Sequence, residues 1–226
     1  IFAPSMLFFM TYNWDFIAIA FVVIAFCLIQ KNQKYLASFF LALGALSKFY
    51  PVIYLLPLLF QEKKSVEWLK IGGIFGLTVL LVNLPFMFLN WNGWAYFFTL
   101  NSLRNSNPDS IWTIFRFVFR GLDAGTINKL SLLLFSLSYL VLMWRFRRES
   151  VIKLCFIATL LFLLFNKIFA PQYTLWLLPF FVLLPPPKKI WFYVLELSNL
   201  GALFSILPWF LLGHDIRYFY LSIPFV

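Results

Sequence analysis

Charge is what this sequence has least of. Asp, Glu, Lys and Arg make up 12% of its 226 residues, about half the share found in soluble globular domains. No polar stretch is long enough to fold as a separate soluble domain. A single histidine excludes a zinc site of the ordinary kind. Two cysteines, Cys27 and Cys155, both lie inside apolar runs; they exclude a disulfide framework and read as small buried side chains. Walker loop, dinucleotide fingerprint, nucleophile elbow and HExxH pattern are all missing, so neither a cofactor nor a metal is expected.

What is present is apolar. Hydrophobic residues reach 63%, with 31 phenylalanines among them. Ten apolar segments can be drawn, roughly 1–12, 14–30, 35–47, 50–61, 68–89, 127–144, 151–166, 173–187, 190–212 and 216–226, many near membrane-spanning length. Both ends, Ile1–Met10 and Leu221–Val226, are themselves apolar. The expected organisation is one transmembrane domain over 1–226, an internal piece lacking its N-terminal spans and first outward loop.

The formal charge of +10 is topological. Basic residues gather in short turns: Lys31 and Lys34; Lys63 and Lys64; Arg145, Arg147 and Arg148; Lys188 and Lys189. The positive-inside rule puts these turns in the cytoplasm. Nucleic acid is not an expected partner, because no basic face with exposed aromatics is separable from the spans. The alternate turns then face outward: Asn13–Asp15, Lys48–Pro51, Asn90–Thr126, Asn166–Gln172 and Gly213–Asp215. Trp14, Trp68, Trp91, Trp94, Trp144 and Trp191 fall at segment ends, where an indole prefers the membrane interface.

The expected architecture is therefore all-α: a polytopic transmembrane helical bundle of about eight to ten membrane segments. Residues 35–47 and 50–61 are too short to cross a hydrocarbon core of about 30 Å. They form either a re-entrant hairpin or two spans meeting a water-filled cavity, with Lys48 and Pro51 at the apex. Asn90–Thr126, rich in alternating aromatics, suits amphipathic helices on the outer surface, with a polar turn-forming middle at Asn101–Ser110.

Ionisable groups at membrane depth are candidates for function. Lys48 can neutralise a phosphate; the competing reading is a lysine that snorkels or pairs with a carboxylate. Asp15 opens its segment, where the helix dipole alone favours an acid. Asn166-Lys167 and Gln172-Tyr173 flank Ala170-Pro171 and either bind sugar or phosphate or satisfy a broken helix. Arg104, Arg116 and Arg120 lie on the outward side, where their guanidinium forks fit phosphate, whether of substrate or of lipid headgroups. His214 and Asp215 share a short loop, and Glu196 is an intramembrane acid expected to pair with another helix.

Three stretches carry a family likeness. Asn13-Trp14-Asp15 opens a span, Leu43–Pro51 (LGALSKFYP) ends in a lysine–aromatic–proline break, and Pro171–Pro179 (PQYTLWLLP) holds a late proline–glutamine–tyrosine–tryptophan motif. In this order the chain resembles the GT-C superfamily of membrane glycosyltransferases, nearest to the polyprenol-phosphate-mannose-dependent α-1,2-mannosyltransferases. It is similar to the GPI mannosyltransferase I group in the second and third stretches, including Asn166-Lys167. The likeness spans about residues 1–185.

Few cysteines and many phenylalanines suit a microbial plasma membrane, with the endoplasmic-reticulum membrane as the setting in a eukaryote. The resemblance implies a GT-C-like fold. It implies transfer of a hexose, mannose above all, from a polyprenyl-phosphate donor to a lipid or glycan acceptor on the outer or luminal face, with membrane lipids as surroundings. Lys48, Tyr50, Arg104, Lys167, Gln172 and Tyr173 become candidate substrate contacts, and Asp15 a candidate near the reacting groups. The family's usual base is an acid in the first outward loop, expected upstream of Ile1. A transporter with broken helices and a noncatalytic subunit of a glycan-assembly complex are the rival readings.

Overall fold

The computed structural model describes residues 3–9, 13–107, 110–119, 122–184 and 190–198. Regular structure among them is entirely helical. In chain order it comprises α1 (Pro4–Phe9), α2 (Asp15–Gln30), α3 (Lys34–Ser47), a 3-10 turn (Tyr50–Tyr54), α4 (Leu55–Phe60), α5 (Ser65–Leu89), α6 (Trp91–Leu103), α7 (Ile111–Val118), α8 (Ala124–Arg145), α9 (Val151–Phe165), a second 3-10 turn (Pro171–Leu177) and α10 (Leu178–Leu183). Residues 190–198 are helical as well. The last expected segment, 216–226, lies outside the described residues, as do His214, Asp215, Arg120, Lys188 and Lys189.

The protein is an all-α membrane protein. α5, with 25 residues, and α8, with 22, have mean hydropathies of 2.0 and 1.6; at 1.5 Å per residue they extend about 37 and 33 Å, enough for the hydrocarbon core. Only 11% and 17% of their apolar windows are buried, so these helices are not the hidden core of a soluble domain; their leucines face outward, as lipid-facing surfaces do. α2, α3 and α9, with 16, 14 and 15 residues, reach only about 21–24 Å.

The chain divides into two compact units, Trp14–Phe169 and a second formed by Ile1–Asn13 with Ala170–Val226. In the first unit, α2 and α3 make a tight hairpin. Asn32 adopts a left-handed conformation, φ 59°, which asparagine tolerates better than other side-chain-bearing residues. Gln33 N–H then donates to Leu28 O at 2.8 Å and Asn32 N–H to Ile29 O at 2.9 Å, the two bonds of a Schellman ending. The facing surfaces are small: Ala18, Ala25, Ala37 and Ala42 have no solvent exposure. Lipid tails are as apolar as leucine, so close van der Waals approach, and not hydrophobicity, drives such a contact. Gly44 marks the closest point, where an added Cβ would stand 3.3 Å from Pro51 Cγ and 3.6 Å from Ala18 O.

The basic turns meet at one end of this unit. Lys34 Nζ reaches Glu62 at 2.7 Å and Glu67 at 3.0 Å, and Tyr35 OH donates to Glu67 Oε2 at 2.6 Å. Gln61 Nε2 donates to Glu149 O at 3.1 Å, which brings the turn before α9 to the same end. At mid-depth Tyr54 OH bonds Thr159 Oγ1 at 2.6 Å and Tyr139 OH donates to Ile53 O at 2.5 Å. These bonds tie the 3-10 turn to α8 and α9 and satisfy hydroxyls that lipid could not.

In the second unit Glu196, 2% exposed, accepts from Ser5 N–H at 2.8 Å and from Ser5 Oγ at 2.7 Å. The acid thus meets the first turn of α1, where donors are unsatisfied and negative charge is favoured.

Candidate functional site

Two sequence candidates far apart in the chain come together. Asp15 begins α2 and Lys48 follows α3, so a hairpin with its turn at the basic end returns both to the opposite end. Lys48 Nζ lies 3.2 Å from Asp15 Oδ1, with the lysine side chain 23% exposed and the carboxylate not at all. The ammonium also stands 5.6 Å from the centre of the Trp14 ring, within range of a cation–π attraction. Lys48 has left the helix, with φ −149° and ψ 134°, because Pro51 lies ahead and cannot continue it. Its N–H still donates to Gly44 O at 2.9 Å, which anchors the break to the glycine contact.

The depth of this pair follows from register. α3 and α5 run in parallel from the basic end, and Ser38 Oγ donates to Ile71 O at 2.7 Å, a sequence offset of 33; Lys34 with Glu67 has the same offset. Lys48 therefore lies about level with Leu81, and the remainder of α5, up to Leu89, rises about 12 Å further. The ion pair is recessed below the end of the long helix. A charge pair at such depth carries on the order of 4 kcal/mol of attraction in a partly polar medium, set against the cost of desolvating both groups.

Tyr50 is fully buried, 1% exposed, with its ring edge-on to Tyr54 at 5.8 Å; it forms the packed floor of the break. Arg104 is exposed and follows α6. Asn101 and Ser102, expected in a turn, instead complete the last turn of α6, where Asn101 Nδ2 donates back to Phe97 O at 2.7 Å. Lys167 is 6% exposed, with Nζ 2.5 Å from Arg104 O and 3.3 Å from Ser102 O. Burial first, and then the Arg104 charge, hold its ammonium below the ordinary lysine range. Arg116 sits exposed in the last turn of α7, where the helix dipole favours it.

Gln172 and Tyr173 belong to the second unit. Both are half-buried in the 3-10 turn opened by Pro171, and the Tyr173 ring stacks on Trp176 at 4.2 Å and 18°. Among the described residues no group of three or more His, Cys, Asp or Glu could hold a metal.

Sequence reasoning missed two things. Trp14 reads as an interface anchor, yet it also flanks the Lys48 ammonium; its place beside Asp15 was the available signal. Asn107, Ser110 and Trp112 read as loop polarity and lipid contact, yet they bond the backbone that carries Lys167; no local pattern announces a contact some fifty residues away.

Residues 1–166 match glycosyltransferase family 87. GPI mannosyltransferase 1 of Debaryomyces hansenii is 27% identical over 181 residues, covering 68% of this chain and 44% of that protein. The chain thus spans less than half the length of this relative. No solved structure matches. The family match takes in Asp15, Lys48, Tyr50 and Arg104, and covers nearly three quarters of the sequence: the chain belongs to glycosyltransferase family 87.

Proposed function

We propose that the protein is a multi-pass membrane glycosyltransferase moving a hexose, mannose in the first instance, from a polyprenyl-phosphate donor to a lipid or glycan acceptor on the outer or luminal face. The observation that carries this reading is the recessed Asp15–Lys48 pair at the α3 break of a family 87 chain. A donor held by its lipid tail presents its phosphate from the membrane plane, at a depth where a lone cation would be costly. Asp15 holds the Lys48 side chain there, 3.2 Å from its carboxylate.

In the reaction an acceptor hydroxyl attacks the anomeric carbon. The new carbon–oxygen bond forms as the bond to the lipid phosphate breaks, and the electron pair leaves on the phosphate. Lys48, partly open, neutralises that developing charge. A base takes the hydroxyl proton, and Asp15, engaged by Lys48, positions rather than abstracts. Arg104, exposed at the end of α6, supplies further positive charge, and Lys167 holds its carbonyl. The basic turns face the cytoplasm in this arrangement.

The test is transfer of labelled mannose from polyprenyl-phosphate mannose in membranes containing the full-length protein. The expected result is activity that Lys48→Met with Asp15→Leu lowers roughly a hundredfold, the scale of losing a charge-stabilising donor. Undiminished turnover in that double variant would remove the pair from the site. Export of the intact donor without sugar transfer would instead favour a transporter.

A further inference from the structure

α6 and α9 each end in carbonyls that no N–H of their own helix can reach. The structure satisfies several of them with side chains from other segments. Near the end of α6, the carbonyls of Ser102 and Arg104 accept from Lys167 Nζ at 3.3 and 2.5 Å, and Asn128 Nδ2 donates to Ser102 O at 2.6 Å. At the end of α9, Phe165 O accepts from Trp112 Nε1 at 2.7 Å and from Ser131 Oγ at 2.5 Å. Asn107 completes the lock: its N–H donates to Lys167 O at 2.9 Å and its Nδ2 to Phe169 O at 2.7 Å.

Lys167 and Arg104 are used differently within this lock. The ammonium is buried, and among the described residues its polar partners are those two carbonyls alone. A cation at the negative end of a helix is favourably placed, and two of its three N–H groups are spent there. The Arg104 guanidinium is exposed and, among the described residues, makes one bond, Nη2 to Asn107 Oδ1 at 3.3 Å. That leaves most of a five-donor fork open.

We propose that Lys167 is a positioning residue: it caps α6, fixes the backbone at Arg104, and so presents the Arg104 fork to the anionic phosphate of the donor without touching the substrate itself. This rests on the transferase reading above and divides the labour of its two outer cations. A backbone held at the Arg104 carbonyl, with the fork's Nη2 on Asn107 Oδ1, reduces the rearrangement needed when the phosphate arrives.

The experiment uses the full-length protein in nanodiscs, with hydrogen exchange of residues 101–113 and donor kinetics with polyprenyl-phosphate mannose. Lys167→Met is expected to speed exchange in that segment about tenfold, with α2 and α3 unchanged, and Lys167→Arg to restore much of the protection. Lys167→Met and Arg104→Gln are each expected to raise the donor KM by about tenfold, and the double variant no further than Arg104→Gln alone. If Lys167→Met does not accumulate, Trp112→Phe loosens the same lock from the other side, and a smaller KM rise is expected. Unchanged exchange would overturn the lock. Multiplying effects in the double variant would overturn the division of labour, since Lys167 would then touch the donor independently. Faster exchange with an unaltered KM in every variant would remove Arg104 from donor binding while leaving Asp15–Lys48 to be judged separately.

Discussion

A carboxylate with no solvent exposure sits 3.2 Å from Lys48 Nζ, and this decides how a substitution at either residue must be interpreted. Lys48→Ala removes the cation paired with the buried Asp15 carboxylate and is expected to cost about 3–5 kcal/mol, read as a lowered thermal midpoint in detergent. Lost activity in that single variant would therefore mix folding with chemistry. Lys48→Met with Asp15→Leu replaces the pair by apolar groups and should recover most of the stability while transfer stays about a hundredfold down; recovery of transfer as well would show that the pair serves packing alone. Asn32 offers a second test at this scale. Its φ of 59° suits glycine, so Asn32→Gly should be nearly neutral, whereas Asn32→Val should cost about 1–2 kcal/mol. Equal midpoints for the two variants would mean that the α2–α3 turn does not depend on that conformation.

Among elements, the α2–α3 hairpin depends on close approach. Gly44 faces Pro51 and Ala18 O at distances that leave room for no branched side chain. Gly44→Leu should push α2 and the 3-10 turn apart, separating Asp15 from Lys48 and lowering transfer even where protein accumulates. Wild-type turnover with Gly44→Leu would contradict the packing described. The start of α8 gives a pH test outside the span. Asp123 is held below the usual carboxylate range by the Thr126 hydroxyl first, and then by backbone N–H groups of Thr126 and Gly125; its oxygens accept from those N–H groups at 3.1 and 3.2 Å. A carboxylate with a depressed folded value stabilises above its unfolded value of about 3.8, and loses that contribution as pH falls through the folded value. Hydrogen exchange in the first turn of α8 should therefore quicken in acid, and Asp123→Ala should remove most of the change. The helices themselves were largely legible in the sequence: α5, α8 and α9 match expected segments to within a few residues. α6 overran the expected turn because Asn101 and Ser102 donate back to carbonyls of their own helix, at 2.7 Å each, an accommodation that composition does not reveal.

For the whole molecule, the arrangement of basic turns predicts a topology. After replacement of Cys27 and Cys155, a cysteine introduced at Lys63 should react with a membrane-impermeant reagent only from the cytoplasmic side. One introduced at Asn105 should react only from the other. Labelling of both from one side would reverse the placement of the α6–α7 segment and of Arg104 with it. The site was legible in part. Lys48, Asp15 and Lys167 stood out as charges in apolar surroundings, and the sequence raised a carboxylate partner for Lys48 without naming it. The partner of Lys167 was hidden because it is backbone, and backbone carbonyls are the same in every sequence.

The sequence by itself determined the solvent this protein lives in and the order of its helices, since both follow from apolar runs, their lengths and the charges between them. It also marked the breaks, because proline and asparagine act on their own dihedral angles. Only the tertiary structure decided which charges meet. Asp15 and Lys48 are joined by a hairpin whose tightness depends on alanines and a glycine facing one another, and Lys167 caps a helix more than sixty residues away in the chain. Long-range pairing is a matter of geometry between elements, and no local pattern carries it.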